Sequence, residues 1–488
     1  MSRSLPLVSN SAASGESSAP APASARRSPG RAARIGIISL GCPKNLVDTE
    51  VLLGRVAGEH VICGDPADAE VVIVNTCGFI DQARDESLDV IREMAAWKAE
   101  GRIKGVVVAG CLAQRWGERI RAEHPGVDAV LGMAEYDQIG AVLDNVVGAR
   151  ELAEAAQAPW RVQVAQDPSY PVPDQTGRLR VTPPHYAYLQ ISEGCDNACT
   201  FCSIPTFRGL FRSKSRTSLV AEARELVAAG ARELNLISQD TTDWGKDLSA
   251  AERGDGVASV LQDLVGLDGL DWIRVLYAYP GHVDDAMIAA LRELQPKVVP
   301  YMDMPIQHIS TPVLKRMGRR HTREQTRELL ERLRAEVPGL VLRTTFISGF
   351  PGETEEQHQE LLEFVREFRF ERLGAFPYSH EPGTPAGERF EDDVPADDKA
   401  RRVDELMATQ QPIAFAHARA QVGRTLPVLV EGVDEEGVAY GRTPYDAPEI
   451  DCQVILAGSA PVDPGVGTLV QARITDTEDY DLVGEIVD

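Results

Sequence analysis

The chain has 488 residues, 43% of them hydrophobic, and a formal net charge of −24. That length exceeds one ordinary domain and no apolar run approaches the ~20 residues of a membrane span; eight cysteines are too sparse for a secreted disulfide scaffold and point to metal or catalysis in a reducing, cytoplasmic interior. The acidic balance argues against a generic nucleic-acid binder, whose affinity comes from neutralising phosphate, and for a basic partner.

Residues 1–33 are rich in Ser, Ala, Pro and Arg with little apolar bulk and read as a disordered tail. From there, short apolar runs alternate with helical stretches. Strands are predicted at 35–40, 71–75 and 105–109, and helices at about 45–56, 82–98 and 113–123, a parallel sheet with helices on its faces. A cysteine follows each strand almost at once: Cys42, Cys77 and Cys111, spaced 35 and 34 residues apart. The carboxyl ends of parallel strands lie along one edge, where ligands bind, so the three should converge. Each neighbours a glycine (Gly41, Gly78, Gly110), which lets backbone approach closely. A three-thiolate zinc site is the competing reading, but it lacks a visible fourth ligand. Cys63 and Cys452 share no such register.

The middle piece carries strands at about 188–192, 233–238, 272–278, 299–304, 342–348 and 371–376, with helices near 218–229, 284–294, 323–336 and 355–368. Six βα repeats make a partial barrel, and barrel enzymes place their chemistry just after their strands. After the first strand comes Gly194-Cys195-Asp196-Asn197-Ala198-Cys199-Thr200-Phe201-Cys202. Three thiolates are one short of the set that closes a four-iron cube, leaving an iron open. Gly194 and Pro205 bracket the triplet and favour a loop over a helical stripe of buried cysteines. From 413 onward, β-like segments at 426–431, 438–442, 453–456 and 468–475 are separated by Gly, Pro and Asp turns, the pattern of a small antiparallel barrel. Residues 413–488 hold 4 basic and 14 acidic side chains, a net of −10.

The C-x3-C-x2-C triplet with its aromatic Phe201 resembles the signature of radical S-adenosylmethionine (SAM) enzymes. Beyond it, Ser39-Leu40-Gly41-Cys42-Pro43-Lys44-Asn45, Asn75-Thr76-Cys77-Gly78-Phe79 and Gly110-Cys111-Leu112 resemble the methylthiotransferase family. So do Pro305-Ile306-Gln307-His308, 348–354 (SGFPGET) and 378–384 (YSHEPGT). Within the family the chain is similar to the ribosomal branch, the RimO-type enzymes, through Cys42-Pro43-Lys44-Asn45, Ser192-Glu193-Gly194-Cys195 and 446–451 (DAPEID). The segments Thr206-Phe207-Arg208 and Phe211-Arg212-Ser213-Lys214 depart from the expected pattern of that branch.

The resemblance implies an α/β chain with a tail at 1–33, an N-terminal cluster domain at 34–147, a (βα)6 radical SAM core at 181–411 and a TRAM barrel at 413–488. It implies two [4Fe-4S] clusters, on Cys42, Cys77 and Cys111 and on Cys195, Cys199 and Cys202, with SAM on the open iron of the second. Its reaction is methylthiolation of the β-carbon of an aspartate in small-subunit ribosomal protein S-twelve. An unactivated C–H is beyond acid–base side chains, so cofactors must carry the hard step: a radical from the core cluster, sulfur from the N-terminal one and methyl from a second SAM. A reductant and a sulfur donor are further partners, and a monomer is expected. Phe201 and Gly349 are the candidate SAM contacts. No catalytic residue beyond the cluster ligands is assigned, and His308 reads as a structural histidine. The basic run Lys315, Arg316, Arg319, Arg320, Arg323 and Arg327 reads as a solvated helix face rather than an RNA contact. Glu431, Asp434, Glu435, Glu436, Asp446, Glu449 and Asp451 are expected to recruit a basic ribosomal protein. The alternatives are a tRNA adenosine methylthiotransferase, which needs a basic barrel, and a non-catalytic iron–sulfur carrier.

Overall fold

The computed structural model describes residues 32–148, 161–457 and 464–487. All but the last two residues of the expected tail lie outside them. The chain forms two compact units: residues 1–181 with Thr206–Gly209, and residues 182–205 with 210–488.

The first unit is built on a six-stranded parallel sheet in the order β2-β1-β3-β4-β5-β6. Its strands are β1 (Arg34–Ser39), β2 (Val61–Ile62), β3 (Val71–Thr76), β4 (Gly105–Gly110), β5 (Ala129–Leu131) and β6 (Val162–Gln163). Every residue of β3 and β4 is buried, which explains their unbroken Val/Ile runs: helices cover both faces, so nothing alternates. The crossovers are α1 (Pro43–Val56), α2 (Asp81–Ala99) and α3 (Cys111–Glu123). Pro43 opens α1, where a missing N–H costs no helical hydrogen bond.

The second unit opens on a six-stranded parallel sheet in the order β14-β13-β12-β11-β10-β7. Its strands are β7 (Tyr186–Gln190), β10 (Glu233–Ile237), β11 (Trp272–Val275), β12 (Val298–Asp303), β13 (Val341–Ser348) and β14 (Arg372–Pro377); a short ribbon, β8 (Ser192–Glu193) with β9 (Arg212–Ser213), follows β7. This is the expected partial barrel. Two of its outer helices, Arg323–Glu336 and Glu355–Phe368, start on full capping boxes, Thr322 with Gln325 and Thr354 with Gln357.

The C-terminal strands β15 (Thr425–Val433), β16 (Ala439–Arg442), β17 (Val454–Leu456), β18 (Leu469–Glu478) and β19 (Asp481–Val487) close a barrel in the order β15-β16-β17-β19-β18. The barrel is antiparallel except between β17 and β19, which run parallel. No helix among the described residues is long and apolar enough to cross a membrane.

The barrel's acidic residues correct one expectation. Arg442, at the end of β16, is fully buried and donates to Glu233 Oε2 at 2.7 Å, Glu431 Oε1 at 2.7 Å and the Asp446 carbonyl at 2.8 Å. Arg274 donates to Glu233 Oε1 at 2.9 Å and to the Pro444 carbonyl at 3.0 Å. Tyr301 donates to Asp451 Oδ2 at 2.6 Å, Arg372 pairs with Asp446, and Tyr186 bonds Glu449. Four of the seven acids expected to recruit a partner, Glu431, Asp446, Glu449 and Asp451, are therefore tied to the core sheet. Tyr186, Glu233 and Arg372 are the first residues of their strands, so the 443–451 loop docks at the end opposite the cysteine triplet.

The basic run is corrected as well. Arg316 reaches the Gly352 carbonyl, Arg323 pairs with Glu360 at 2.6 Å and Arg327 with Glu367 at 2.7 Å. Arg319 is buried. The run is not one helix face: it spans two helices, Thr311–Arg316 and Arg323–Glu336, and the segment between them, with Lys315 and Arg320 exposed and the others paired or buried.

Candidate functional site: two cysteine triplets

In the first unit, β1, β3 and β4 are neighbours in the sheet, and each hands its chain to a cysteine at its carboxyl end. Cys42 caps α1 and Cys111 opens α3, so two helix N-termini put their positive ends beside sulfur. Two of the neighbouring glycines are demanded by backbone. Gly41 has φ +89°, and a Cβ there would stand 2.7 Å from Cys77 Cβ and 2.9 Å from its Sγ. Gly110 has φ +92°, and its Cβ would lie 2.5 Å from the Thr76 carbonyl oxygen and run into Asn75 Oδ1. At Gly78, which has no positive φ, a Cβ would press to 3.0 Å from Leu112 Cα, a tight approach.

Burial pushes the Cys77 thiol up to about 11, with Cys42 adding to the rise. Burial also raises Cys111, against the lowering field of Arg208, and Cys77 and Cys42 both act on it. The three sulfurs thus lie within one another's electrostatic reach, Cys77 and Cys111 buried and Cys42 half-buried. Around them Asn45 Nδ2 donates to the Leu40 and Thr76 carbonyls at 2.9 and 2.8 Å, while Asn75 Nδ2 donates to the Asn45 carbonyl at 2.7 Å. Ser87 accepts the Cys77 N–H at 3.0 Å and returns a bond to the Cys77 carbonyl at 2.9 Å.

In the second unit, Cys195, Cys199 and Cys202 lie on the loop after β7 and β8, entered through Gly194 at φ +73°. Side chains between the cysteines hold that loop. Asp196 Oδ1 accepts the Phe211 N–H at 2.8 Å, Asn197 Nδ2 donates to Asp240 Oδ2 at 2.7 Å, and Thr200 Oγ1 donates to the Arg316 carbonyl at 2.8 Å. Arg319 donates to the Pro305 carbonyl at 2.6 Å, reaches Cys199 Sγ at 3.7 Å and lies 4.1 Å from the Tyr279 ring centroid. Burial pushes Cys195 up to about 11, and Cys202 is raised for the same reason, with Cys199 and Cys195 contributing.

Phe201 packs, half-buried, against Val313, Met317, Phe350, Tyr378 and Ala386. Gly349 follows β13 at φ +77°, where a Cβ would collide with the Lys399 side chain. His308 is buried and its Nδ1 accepts the Ser310 N–H at 2.9 Å, while its Nε2 faces Glu353 at 3.8 Å.

A tetrahedral ion with Zn–S bonds of ~2.3 Å sets its sulfurs about 3.8 Å apart. Among the described residues, only Asp240, Asp243 and His282 bring three His, Cys, Asp or Glu ligand atoms within 4.8 Å of one another. Neither cysteine triplet is drawn to single-ion spacing. Three thiolates are one short of the set that closes a four-iron cube. The Asp240, Asp243 and His282 group is already an internal pair, His282 Nδ1 lying 2.8 Å from Asp240 Oδ2.

In the sequence Asn45 stands in a family motif that gives it no role, and Arg208 in a segment that departs from the branch pattern. Neither Arg208 nor Arg319 has a spacing relation to the cysteines it contacts, so only the fold reveals them.

Residues 189–365 match the radical SAM superfamily, residues 34–132 match uncharacterized protein family UPF0004, and residues 422–487 match the TRAM domain. Among solved structures, a radical S-adenosylmethionine methyltransferase, TsrM from Kitasatospora setae, with cobalamin and a [4Fe-4S] cluster bound, aligns with a TM-score of 0.51 at 16% identity. It covers 73% of this chain and 77% of that one, a likeness of fold. Fold and domain matches together define a radical SAM protein with an N-terminal cysteine domain and a TRAM barrel.

The relatives narrow this further. The chain is 45% identical to the ribosomal protein uS12 methylthiotransferase RimO of Geobacter sulfurreducens (strain ATCC 51573 / DSM 12127 / PCA), over 93% of this chain and 98% of that protein. It is 46% identical to the RimO of Anaeromyxobacter sp. (strain Fw109-5), over 93% of each chain. The chain belongs to the uS12 methylthiotransferase family.

Proposed function

We propose that this protein methylthiolates the β-carbon of an aspartate in ribosomal protein uS12, using two SAM molecules and a sulfur donor. The observation that carries the reading is the pair of cysteine triplets, each at the carboxyl edge of its own parallel sheet and each one ligand short of a closed cube. Cys195, Cys199 and Cys202 would hold the SAM-binding cluster, and Cys42, Cys77 and Cys111 the second one. When bound, these groups supply a hydrogen-abstracting radical and the sulfur that replaces the hydrogen; a second SAM supplies the methyl group.

The chain's own residues supply place and environment. Asp196, Asn197 and Thr200 fix the core loop that carries the three sulfurs. Gly349 keeps the segment after β13 clear of a side chain, and Phe201 offers an aromatic edge beside the last cysteine; both are candidate SAM contacts. A reductant and a sulfur donor complete the reaction, and the protein works in the cytoplasm as a monomer.

The test is anaerobic reconstitution followed by assay against purified uS12 and against tRNA, with mass spectrometry of both. The expected result is about eight irons per chain and a methylthio group on uS12 alone. Changing Cys195, Cys199 and Cys202 together to Ala should halve the iron and abolish deoxyadenosine. Changing Cys42, Cys77 and Cys111 to Ala should leave SAM cleavage but stop sulfur insertion. Modified tRNA with unmodified uS12 would overturn the reading.

A further inference from the structure

Arg208 lies six residues after Cys202 in the chain, yet the segment 206–209 packs within the first unit. Its guanidinium is buried there. Nη2 lies 2.6 Å from Asp48 Oδ2, 3.0 Å from Asn45 Oδ1 and 3.3 Å from Cys111 Sγ. With no metal, the Cys111 thiol donates to Asn45 Oδ1 at 3.3 Å. Ligation removes that proton and turns Cys111 into a pure acceptor. Asn45 Nδ2 is engaged on two backbone carbonyls, which leaves the guanidinium as the donor facing the sulfur.

We propose that Arg208 is a positioning residue for the N-terminal cluster: it donates an N–H···S bond to the Cys111 thiolate and raises the cluster's reduction potential. The inference rests on the reading that Cys42, Cys77 and Cys111 hold a cluster. Hydrogen bonds to ligand sulfur and net local charge are among the factors that set iron–sulfur potentials. Reduction adds one electron to a buried group, and an adjacent cation in a low dielectric lowers the cost of that charge. Asp48 works in the opposite sense. It orients the guanidinium while partly cancelling its field, and of the two it is Arg208 whose Nη2 touches the sulfur, at 3.3 Å.

The opposition gives a test that a purely structural role cannot imitate. The full-length chain carrying Cys195, Cys199 and Cys202→Ala isolates the N-terminal cluster, whose midpoint is read by EPR-monitored redox titration. Arg208→Gln should lower the midpoint, Asp48→Asn should raise it, and Arg208→Lys should fall between Gln and the parent. Should Arg208→Gln fail to fold or hold iron, the direction of Asp48→Asn decides alone. Equal midpoints in iron-loaded variants, or shifts of the same sign for Arg208→Gln and Asp48→Asn, would overturn the proposal. Absence of iron from the isolated N-terminal triplet with Arg208 intact would instead overturn the cluster assignment itself.

Discussion

Gly41 shows how little room the first triplet leaves. Its φ of +89° and the 2.7 Å from a would-be Cβ to Cys77 Cβ act together. A left-handed non-glycine conformation costs of order 1–3 kcal/mol, and the clash would displace the cysteine itself. Gly41→Ala should therefore lose the N-terminal iron, about half of the total, while deoxyadenosine formation persists; full iron in that variant would show that the pocket can relax. A second residue-scale expectation concerns His282. Hydrogen bonding to Asp240 raises its pKa above the ordinary 6.5 despite opposing burial. The imidazolium is thus favoured in the folded state, so the stability it contributes is fully present below pH 6.5 and is lost as pH rises through the higher folded value. NMR titration of His282 in the metal-free protein should give a midpoint above 6.5, moving down in Asp240→Asn; identical midpoints would refute the pairing. The six cysteines were legible because spacing and strand ends are properties of sequence. The arginine on Cys111 was not, because its contact spans 97 positions of chain.

At the scale of elements, the regular pieces were read closely where length and pattern were strong. The helix over 323–336 and the strand pair β3 and β4 fall within a residue of expectation. The two-residue strands β2, β6, β8 and β9 escaped, since two residues carry no periodicity. What sequence hid most completely was the use of the 443–451 loop. Its Asp-Ala-Pro-Glu-Ile-Asp run served as a branch marker and as negative charge, whereas in the fold its acids meet Arg372, Tyr186, Tyr301 and Arg343. Glu233 lies between Arg274 and Arg442, all three fully buried. The two cations hold its carboxyl below the ordinary range in spite of burial. Removing one member of such a pair leaves an uncompensated buried charge, at a cost of about 3–5 kcal/mol. Arg442→Met should lower the urea midpoint accordingly, and a change below about 1 kcal/mol would mean that the pair is solvated in solution.

For the molecule as a whole, 74 acidic side chains against 50 basic ones set a negative field, and the distribution of that charge decides what it does. The barrel's net of −10 includes Glu431, Asp446, Glu449 and Asp451, whose partners lie within the same unit. Asp434 is exposed but accepts the Glu436 and Val438 N–H groups at 2.9 and 2.8 Å, shaping the turn between β15 and β16. Any recruitment of a basic protein by barrel charge would therefore fall to exposed acids such as Glu435, Glu436 and Glu478. Changing these three to Lys alters the barrel by six charges, to a net of −4, without touching the buried pairs. Rim charges act chiefly on association rate, and their reach ends near the ~8 Å screening length of physiological salt. The variant should associate more slowly with uS12 at low ionic strength and converge on the parent as salt rises, with an unchanged unfolding midpoint and unchanged SAM cleavage. Stopped-flow association across a salt series measures this directly. A rate that ignores both the substitutions and the salt would place uS12 recognition elsewhere on the molecule.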